Sequence, residues 1–222
     1  MRLIVCNTLR ASSLALLIGL ATCASGQTHH GPRLGAGIST INAGQFFQWT
    51  GQAKFGLLAG YSLDNKLNDQ ISILWELLYA SKGSLVRNAQ IEQTVRTSLN
   101  YVEMPLMLKV SMNKDPQGLF LSAGGIFGYL VNGRQRTTQS GQELSNVEFD
   151  LSENNRRAQV LLAIGLGYEL DHFEVELRGE NSITPFDALL RQQNLTIGLH
   201  FTYRFHPKPE VDEDDESDAY YP

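Results

Sequence analysis

The chain has 222 residues, enough for one domain, and its net charge at pH 7 is −5. Seven acidic side chains and one lysine lie in the segment 206–222, so the rest of the chain is close to neutral and offers no basic surface for a nucleic acid. No stretch after position 26 has eighteen consecutive apolar residues, which excludes a transmembrane helix but not a β-barrel, whose strands alternate apolar and polar side chains. The five histidines are too scattered to predict a metal cluster, and we expect no cofactor.

The first 26 residues are predicted to be a secretory signal peptide. Two arginines precede an apolar core at 11–21, and small residues follow as far as Gly26. Cleavage there would leave a short lead-in at 27–32. Acylation of Cys23 is the alternative, although Thr22 is a poor residue before a lipoprotein cysteine. Both cysteines of the chain lie in this segment, so the mature protein would contain no disulfide.

The next part of the chain contains four segments with the period-two alternation of β-strands. In the first segment, Gly35 and Gly37 lie on one face, where a narrow barrel interior would favour small residues. In the third, Glu76 lies opposite an apolar face. In the fourth, Pro105 has no N–H group and predicts a bulge or a gap in strand pairing. The four predicted strands are 33–41, 52–63, 71–80 and 94–110, and residues 82–93 are predicted to be a polar loop.

Four more strands are predicted in the second half of the chain. The last of them, LTIGLHFTYRF at 195–205, places large apolar side chains on one face and ends on two aromatic residues. This pattern is typical of the closing strand of a membrane barrel, and an edge strand of a soluble sandwich is the alternative. Residues 132–156 are rich in polar side chains and are predicted to be the longest loop. The four strands are 119–131, 157–170, 173–180 and 195–205.

The connections between the eight predicted strands alternate in length. Those after strands two, four and six are short, whereas those after strands one, three, five and seven are long. Short periplasmic turns and long extracellular loops are typical of outer-membrane barrels. We therefore predict an all-β, eight-stranded antiparallel up-and-down transmembrane β-barrel at 33–206 in the outer membrane, with both termini in the periplasm. A soluble lipocalin-like barrel would instead have a polar outer face.

The strand directions also predict where the aromatic side chains lie. Aromatic residues favour both membrane interfaces, because a ring can be apolar at one end and form hydrogen bonds at the other. One group is expected at the periplasmic rim and the other toward the extracellular rim. The periplasmic group is Tyr61, Tyr168, Phe173, Tyr203 and Phe205, and the extracellular group is Tyr79, Phe127 and Tyr129.

The segment YVEMPLMLK at 101–109 resembles a strand of the PorT-like outer-membrane β-barrel proteins of the Bacteroidota. The opening segment GPRLGAGIST and the glycine-rich strands five and six are similar to the same family. The resemblance covers roughly residues 31–205. It implies a location and a fold more than a chemistry, because few members have an assigned activity. The acidic tail at 207–222 departs from the family, whose barrels often end on the closing aromatic residue.

Charged side chains are predicted on the inward faces of several strands. An eight-stranded barrel has room for side chains and little else, so we expect a paired plug, with a proton or ion path as the alternative. We expect the acids of strand seven to pair with Arg204, His200, Lys54 and Lys109. The predicted interior network is Glu76, Glu103, Lys109, Glu174, Glu176, Arg178, Glu180 and Arg204.

Catalysis is not expected from this sequence. No G-x-S-x-G elbow occurs, and nothing in the spacing brings Ser122 to His200, so a lipid-active enzyme is only the alternative. We expect a structural or interaction protein whose partners are outer-membrane lipid and the barrel-assembly machinery. A cell-envelope protein could dock on the loop 132–156 or on the acidic tail 207–222, which is predicted to be disordered. The alternatives are a loop that only shields the barrel mouth and a tail that is only solvated.

Overall fold

The structure is a computed structural model that describes residues 28–43, 52–113, 117–148, 157–185 and 192–205. The predicted signal peptide and the acidic tail lie outside these residues. None of the described residues forms a helix long and apolar enough to cross a membrane. The described strands are β1 (Thr28–Ala43), β2 (Lys54–Lys66), β3 (Ile71–Asn88), β4 (Gln93–Ser111), β5 (Gly118–Gln139), β6 (Gln142–Glu148), β7 (Ala158–Glu169), β8 (Phe173–Ser182) and β9 (Gln192–Tyr203).

Eight of these strands close into a ring. Each is antiparallel to its neighbours, in the order β4, β3, β2, β1, β9, β8, β7, β5, and pairing of β4 with β5 completes the circle. Closure leaves no sheet edge in the ring, as a structure surrounded by lipid requires. The prediction of an eight-stranded antiparallel up-and-down barrel is confirmed.

The outer surface of the ring is apolar. β7 alternates without interruption between exposed and buried residues over its whole length. Side chains such as Leu34, Leu57 and Ile164 are about 60% exposed (61%, 62% and 60%), and leucine, isoleucine, valine and phenylalanine dominate the exposed positions of the ring. A continuous apolar surface of this kind would be unfavourable in water and fits the hydrocarbon core of a membrane.

The two ends of the barrel differ. At the short-turn end, brief connections join β2 to β3, β4 to β5 and β7 to β8. The rings of Phe173 and Tyr203 lie 5.3 Å apart at this end, those of Tyr203 and Phe205 5.1 Å apart, and His30 connects Phe205 to Tyr61. Toward the opposite, long-loop end, Tyr129 pairs with Val102 of β4, which also pairs with Tyr79. Phe173, Tyr203 and Phe205 therefore lie at the short-turn rim, and Tyr129 lies toward the long-loop end, as predicted. Tyr61 pairs with Leu77, only two residues from Tyr79, so the predicted separation of these two is not found.

Several strands extend farther than predicted. β1 begins at Thr28, so residues 28–32 pair with β2 and are not a lead-in. The predicted polar loop at 82–93 is wrong, because its residues continue β3 to Asn88 and β4 from Gln93. Residues 132–148 are also not irregular, because β5 continues to Gln139 and forms a hairpin with β6. We call the long-loop-end parts of β3 (84–88), β4 (93–98) and β5 (134–139), together with β6, the protruding sheet.

The interior of the barrel contains an apolar cluster as well as many charged side chains. Leu74, Met107, Ile126, Leu161 and Ala163 form a buried cluster on the side formed by β3, β4, β5 and β7. The buried charges project from most strands of the ring, with four of them on β8, and reach across the lumen.

The β3–β4 ladder is interrupted opposite Pro105, where pairing passes from Trp75–Leu106 directly to Leu78–Glu103. The gap that the proline predicted is therefore present. The ring closes around it because the other side of β4 remains paired with β5 at this position, Pro105 facing Ile126.

Candidate functional site

The structure places all eight residues of the predicted network inside the barrel. Each lies on the inward side of its strand, and none is more than 6% exposed. They divide into three groups along the lumen, in which each carboxylate lies near a basic side chain. A buried charge without a partner would be very unfavourable, so the pairing accounts for their presence in this space.

The central group contains two arginines and two glutamates. Arg178 donates from Nη1 to Glu76 Oε2 (2.7 Å) and from Nη2 to Glu76 Oε1 (2.9 Å), a bidentate arrangement. It also donates from Nη2 to Glu176 Oε2 at 2.7 Å. Arg33 forms ion pairs with Glu176 and with Glu76, and Ser122 Oγ donates to Glu176 Oε1 at 2.5 Å. The group is therefore electrically balanced and fully removed from solvent.

The second group surrounds Lys109 near the short-turn end. Its Nζ lies 2.9 Å from Asp64 Oδ2, 2.6 Å from Glu169 Oε2 and 2.6 Å from Glu174 Oε2. One oxygen from each of the three carboxylates lies within 4.8 Å of the others, a spacing that would suit a cation. Here the ammonium group of Lys109 already occupies that position. Arg204 forms an ion pair with Glu169 and contributes the second positive charge.

The third group lies toward the long-loop end. Lys82 Nζ is 2.6 Å from both Glu103 Oε1 and Glu180 Oε2. Lys54 lies beside it but donates to Ser81 Oγ (3.1 Å) and to the carbonyl oxygen of Lys82 (2.9 Å). A cavity of about 20 Å³ adjoins Lys82, Glu180 and His200, which is room for about one water molecule.

The partners of the β8 acids are only partly those predicted. Among the described residues, Lys109 pairs with Glu174 as expected, but Arg204 pairs with Glu169 on β7. His200 instead accepts a hydrogen bond at Nδ1 from Arg33, and Lys54 bonds the Ser81 hydroxyl and a carbonyl group. Distances across the lumen depend on strand register and tilt, which the alternation pattern does not determine.

Three charged interior residues are not among those predicted from the sequence to face the lumen. Arg33 has the same parity as Gly35 and Gly37, so alternation alone would place it inside. Asp64 and Lys82 lie just beyond the predicted strands 52–63 and 71–80, because the strands that carry them run farther than their apolar pattern. Extending the parity of β2 and β3 by a few residues would have found both.

The residues considered for catalysis are not assembled. Ser122 donates its hydroxyl proton to Glu176, and His200 is bonded to Arg33. Both side chains lie inside the barrel at 2% exposure, away from the lipid boundary where a lipid substrate would lie. The described geometry does not bring Ser122 and His200 together as a nucleophile and its base.

The protruding sheet has two different faces. Register places Arg96 of β4 beside Arg136 of β5, with Arg134 two residue pairs closer to the barrel. These arginines are exposed, and Arg134 donates to Glu148 Oε1 at 2.8 Å while Arg136 pairs with Glu143. The opposite face carries uncharged side chains, among them Val86, Val95, Thr97, Gln135, Thr137 and Val147.

Comparison with known proteins identifies the family. A model of the outer membrane protein beta-barrel domain matches residues 24–188. No curated protein gives a significant match. Among solved structures, Neisserial surface protein A (NspA) has a TM-score of 0.50 at 9% identity and covers 80% of this chain and 97% of its own.

Two further solved structures are less similar. Ail, the attachment invasion locus protein of Yersinia pestis, has a TM-score of 0.45 at 13% identity, covering 81% and 99% of the two chains. The N-terminal β-barrel domain of Pseudomonas aeruginosa OprF has a TM-score of 0.38 at 13% identity, covering 81% and 98%. At these identities the likeness to NspA bears on the fold alone. Because the family model covers most of the sequence, this chain belongs to the outer membrane protein β-barrel domain family and is a protein of the outer membrane.

Proposed function

We propose that the chain is a PorT-like barrel of the Bacteroidota type that acts as a structural or interaction protein through its protruding sheet. Segment 1–26 would export it, both termini would lie in the periplasm, and the long-loop end would face the cell exterior. The two ends of the described barrel support this orientation, because His30 and Phe205 form a bridge at the short-turn end. Outer-membrane barrels place their short turns in the periplasm.

The observation that carries this proposal is the contrast between a filled interior and a protruding sheet. Three charge groups and an apolar cluster fill the lumen, whereas β3 to β6 continue beyond the apolar band. β6 is exposed along its entire length, including Leu144 (57%) and Val147 (56%). Recognition is usually located on segments held out by a rigid scaffold. A cell-envelope protein would therefore meet this sheet first.

The orientation can be tested with single cysteines, since both natural cysteines lie in the segment proposed to be removed. Asn146→Cys places a thiol on β6, and Asp69→Cys places one in the turn between β2 and β3. We expect a membrane-impermeant maleimide to label Asn146→Cys in intact cells and Asp69→Cys only after the outer membrane is opened. Labelling of Asp69→Cys but not Asn146→Cys in intact cells would reverse the proposed orientation.

An interaction role can be tested by photo-crosslinking from Val147, with a crosslinker at Asp69 as the matched control. The proposal predicts a protein adduct in intact cells that depends on Val147 and is lost when Leu144 and Val147 are both replaced by serine. The alternatives give different results. A channel would conduct ions when the purified protein is placed in planar bilayers, and a lipid-active enzyme would release fatty acid from outer-membrane lipid.

The barrel-assembly machinery remains a proposed partner, because any barrel of this kind must be inserted into the membrane. The acidic tail 207–222 is a second proposed docking segment for a periplasmic protein. A chain truncated after Phe205 would test it. Normal assembly with loss of a periplasmic adduct is the result expected if the tail docks a partner, whereas an unchanged adduct pattern would remove the tail from the proposal.

A further inference from the structure

Positive charge on the protruding sheet is concentrated on one face. Arg87, Arg96, Arg134 and Arg136 have the outward parity of β3, β4 and β5, and all four are exposed. Two exposed glutamates of β6 accompany Arg134 and Arg136. The outward face therefore has an excess of positive charge. We call the four arginines the outward arginine surface.

This surface is a direct continuation of the lipid-facing wall. Outward positions of β4 run from Val110 and Leu108 through Val102 to Asn100, Ser98 and then Arg96. Ser98, the partner of Arg134, lies four residues beyond Val102, which is about 13 Å along a strand and less along the tilted barrel axis. The arginines thus begin within about one side-chain length of the interface where the apolar band ends.

A fifth arginine marks the boundary itself. Arg157 is exposed, and its Nη1 lies 3.5 Å from the hydroxyl oxygen of Tyr129, one of the aromatic residues at this rim. Aromatic side chains and arginines at this depth are positioned where lipid headgroups meet the hydrocarbon region. The charge therefore starts at the level of the headgroups and continues outward.

We propose that the outward arginine surface binds the phosphate groups of lipids in the outer leaflet. The planar guanidinium fork matches phosphate oxygens and can bind them through two hydrogen bonds. The arginines lie on the face that continues the lipid surface, whereas the opposite face at the same positions carries Val95, Thr97, Gln135 and Thr137. This one-sidedness distinguishes a membrane lipid from a soluble anion, which could approach either face of the sheet.

The glutamates of β6 do not block this role. Arg134 and Glu148 keep 57% and 77% of their side-chain surfaces exposed, and Arg136 and Glu143 keep 56% and 37%. Exposed ion pairs of this kind contribute little to stability and exchange partners readily. A phosphate can therefore replace the carboxylate at each guanidinium, and the two glutamates should reduce the affinity for lipid phosphate without abolishing it.

The test measures retention of diphosphoryl lipid A by the full-length mature protein in zwitterionic detergent. Each arginine near an anionic lipid surface contributes about fivefold in affinity. We expect the triple variant Arg96→Gln, Arg134→Gln, Arg136→Gln to bind at least about tenfold more weakly than the wild type. The variant Glu143→Gln, Glu148→Gln should bind several-fold more tightly, because it frees two guanidinium groups. Adding Thr137→Arg, on the opposite face, to the triple variant should not restore binding.

Other outcomes would overturn the proposal. Equal retention by the wild type and the triple variant, or equal retention of lipid A with and without its phosphates, would exclude phosphate recognition by this surface. If Thr137→Arg restored lipid A binding to the triple variant, net charge alone would explain the binding, and the position of the arginines would not matter. Inorganic phosphate that displaced lipid A at low millimolar concentration would indicate a site for soluble phosphate. A temperature-dependent shift in gel mobility shows that each variant still forms a closed barrel.

The inference rests on the proposed orientation, in which the protruding sheet is extracellular. The proposed orientation and the proposed lipid binding can be contradicted independently of each other. Labelling at Asn146 tests the orientation in cells, whereas retention of lipid A in detergent tests only the surface.

Discussion

At Arg178, one guanidinium meets both carboxylate oxygens of Glu76 and a third oxygen from Glu176. All three side chains are fully removed from solvent. The free energy of removing such charges from water is large, and their mutual attraction offsets it only when the geometry is good and the remaining polar atoms are bonded. Ser122 supplies one of the remaining hydrogen bonds at Glu176.

Replacing Arg178 with methionine should therefore be strongly destabilising. The change leaves Glu76 and Glu176 with Arg33 as their shared cation, and breaking a buried pair in this way costs about 3–5 kcal/mol of unfolding free energy. Arg134→Met is the matched control, because its partner Glu148 is exposed and such a pair contributes about 0–1 kcal/mol. Urea unfolding in lipid vesicles measures both. Equal small losses for the two variants would mean that the central group is not a buried network.

The outward side chains of β8 face lipid, so an added charge at these positions is expected to be unfavourable. Leu177 is 53% exposed near the middle of the apolar band, and an arginine there should lower the unfolding free energy by about 2–4 kcal/mol. Leu170, in the turn at the short-turn end, should accept an arginine at a cost of about 0–1 kcal/mol, because its charge can reach the interface. Unfolding titrations of both variants in vesicles would show this dependence on depth. A neutral Leu177→Arg would mean that the inside and the outside of β8 have been exchanged.

Which interior residues the sequence could predict depends on apolar alternation. Glu76 and Glu176 were predictable, because each lies between large apolar neighbours that identify the opposite face, and Arg178 continues the parity of Glu176. Lys82 and Asp64 were not, since near the barrel ends the outward neighbours become polar and the alternation disappears. The ion-pair partners were largely unpredictable, because a residue's neighbour across the lumen belongs to a strand far away in sequence.

Among the elements, β5 shows how closely neighbouring strands approach. A methyl group on Gly124 would lie 2.7 Å from Met107 Cα and closer still to the carbonyl oxygen of Leu106. On the next residue, Gly125, a methyl group would have Leu161 O at 3.9 Å as its nearest neighbour. The backbone of β4 therefore leaves no room for a side chain at Gly124, whereas no neighbouring atom prevents a methyl group at Gly125.

Alanine substitution should separate the two. Gly124→Ala should destabilise the barrel by about 1–3 kcal/mol, because the backbone of β4 must move to admit the methyl group. Gly125→Ala should be neutral or stabilising by up to about 1 kcal/mol, because alanine reduces the conformational entropy of the unfolded chain. Thermal or urea unfolding of the two variants tests the difference. A tolerated Gly124→Ala would show that the backbones of β4 and β5 are farther apart at this position than the 2.7 Å contact with Met107 Cα requires.

The number and direction of the ring strands were predictable, whereas the reach of β3 and β5 was not. Inside the apolar band, lipid on one side and lumen on the other impose a period of two. Beyond it, both faces of a strand contact water, so Arg87, Arg96 and Arg134 stand among neighbours of mixed polarity and the sequence resembles a loop. Backbone pairing maintains the strand there without any apolar signal.

As a whole molecule, the barrel reverses the usual distribution of polarity. Its exposed surface is apolar, and many of its buried side chains are charged or polar. Such an arrangement is stable only when lipid covers the outside and the charges are paired within. Pairing of β1 with β9 and of β4 with β5 is therefore as essential as the charge network, because it leaves no edge in the ring.

The most direct test of this account is a nitroxide scan along β7. Single cysteines at the outward positions Val160, Leu162, Ile164 and Leu166 and at the inward positions Leu161 and Ala163 would be spin-labelled in lipid vesicles. We predict a period of two in collisions with oxygen, which concentrates in the hydrocarbon region, high at the outward positions and low at the inward ones. Equal access of both sets to a water-soluble nickel complex would contradict the account and indicate a barrel that does not lie in a membrane.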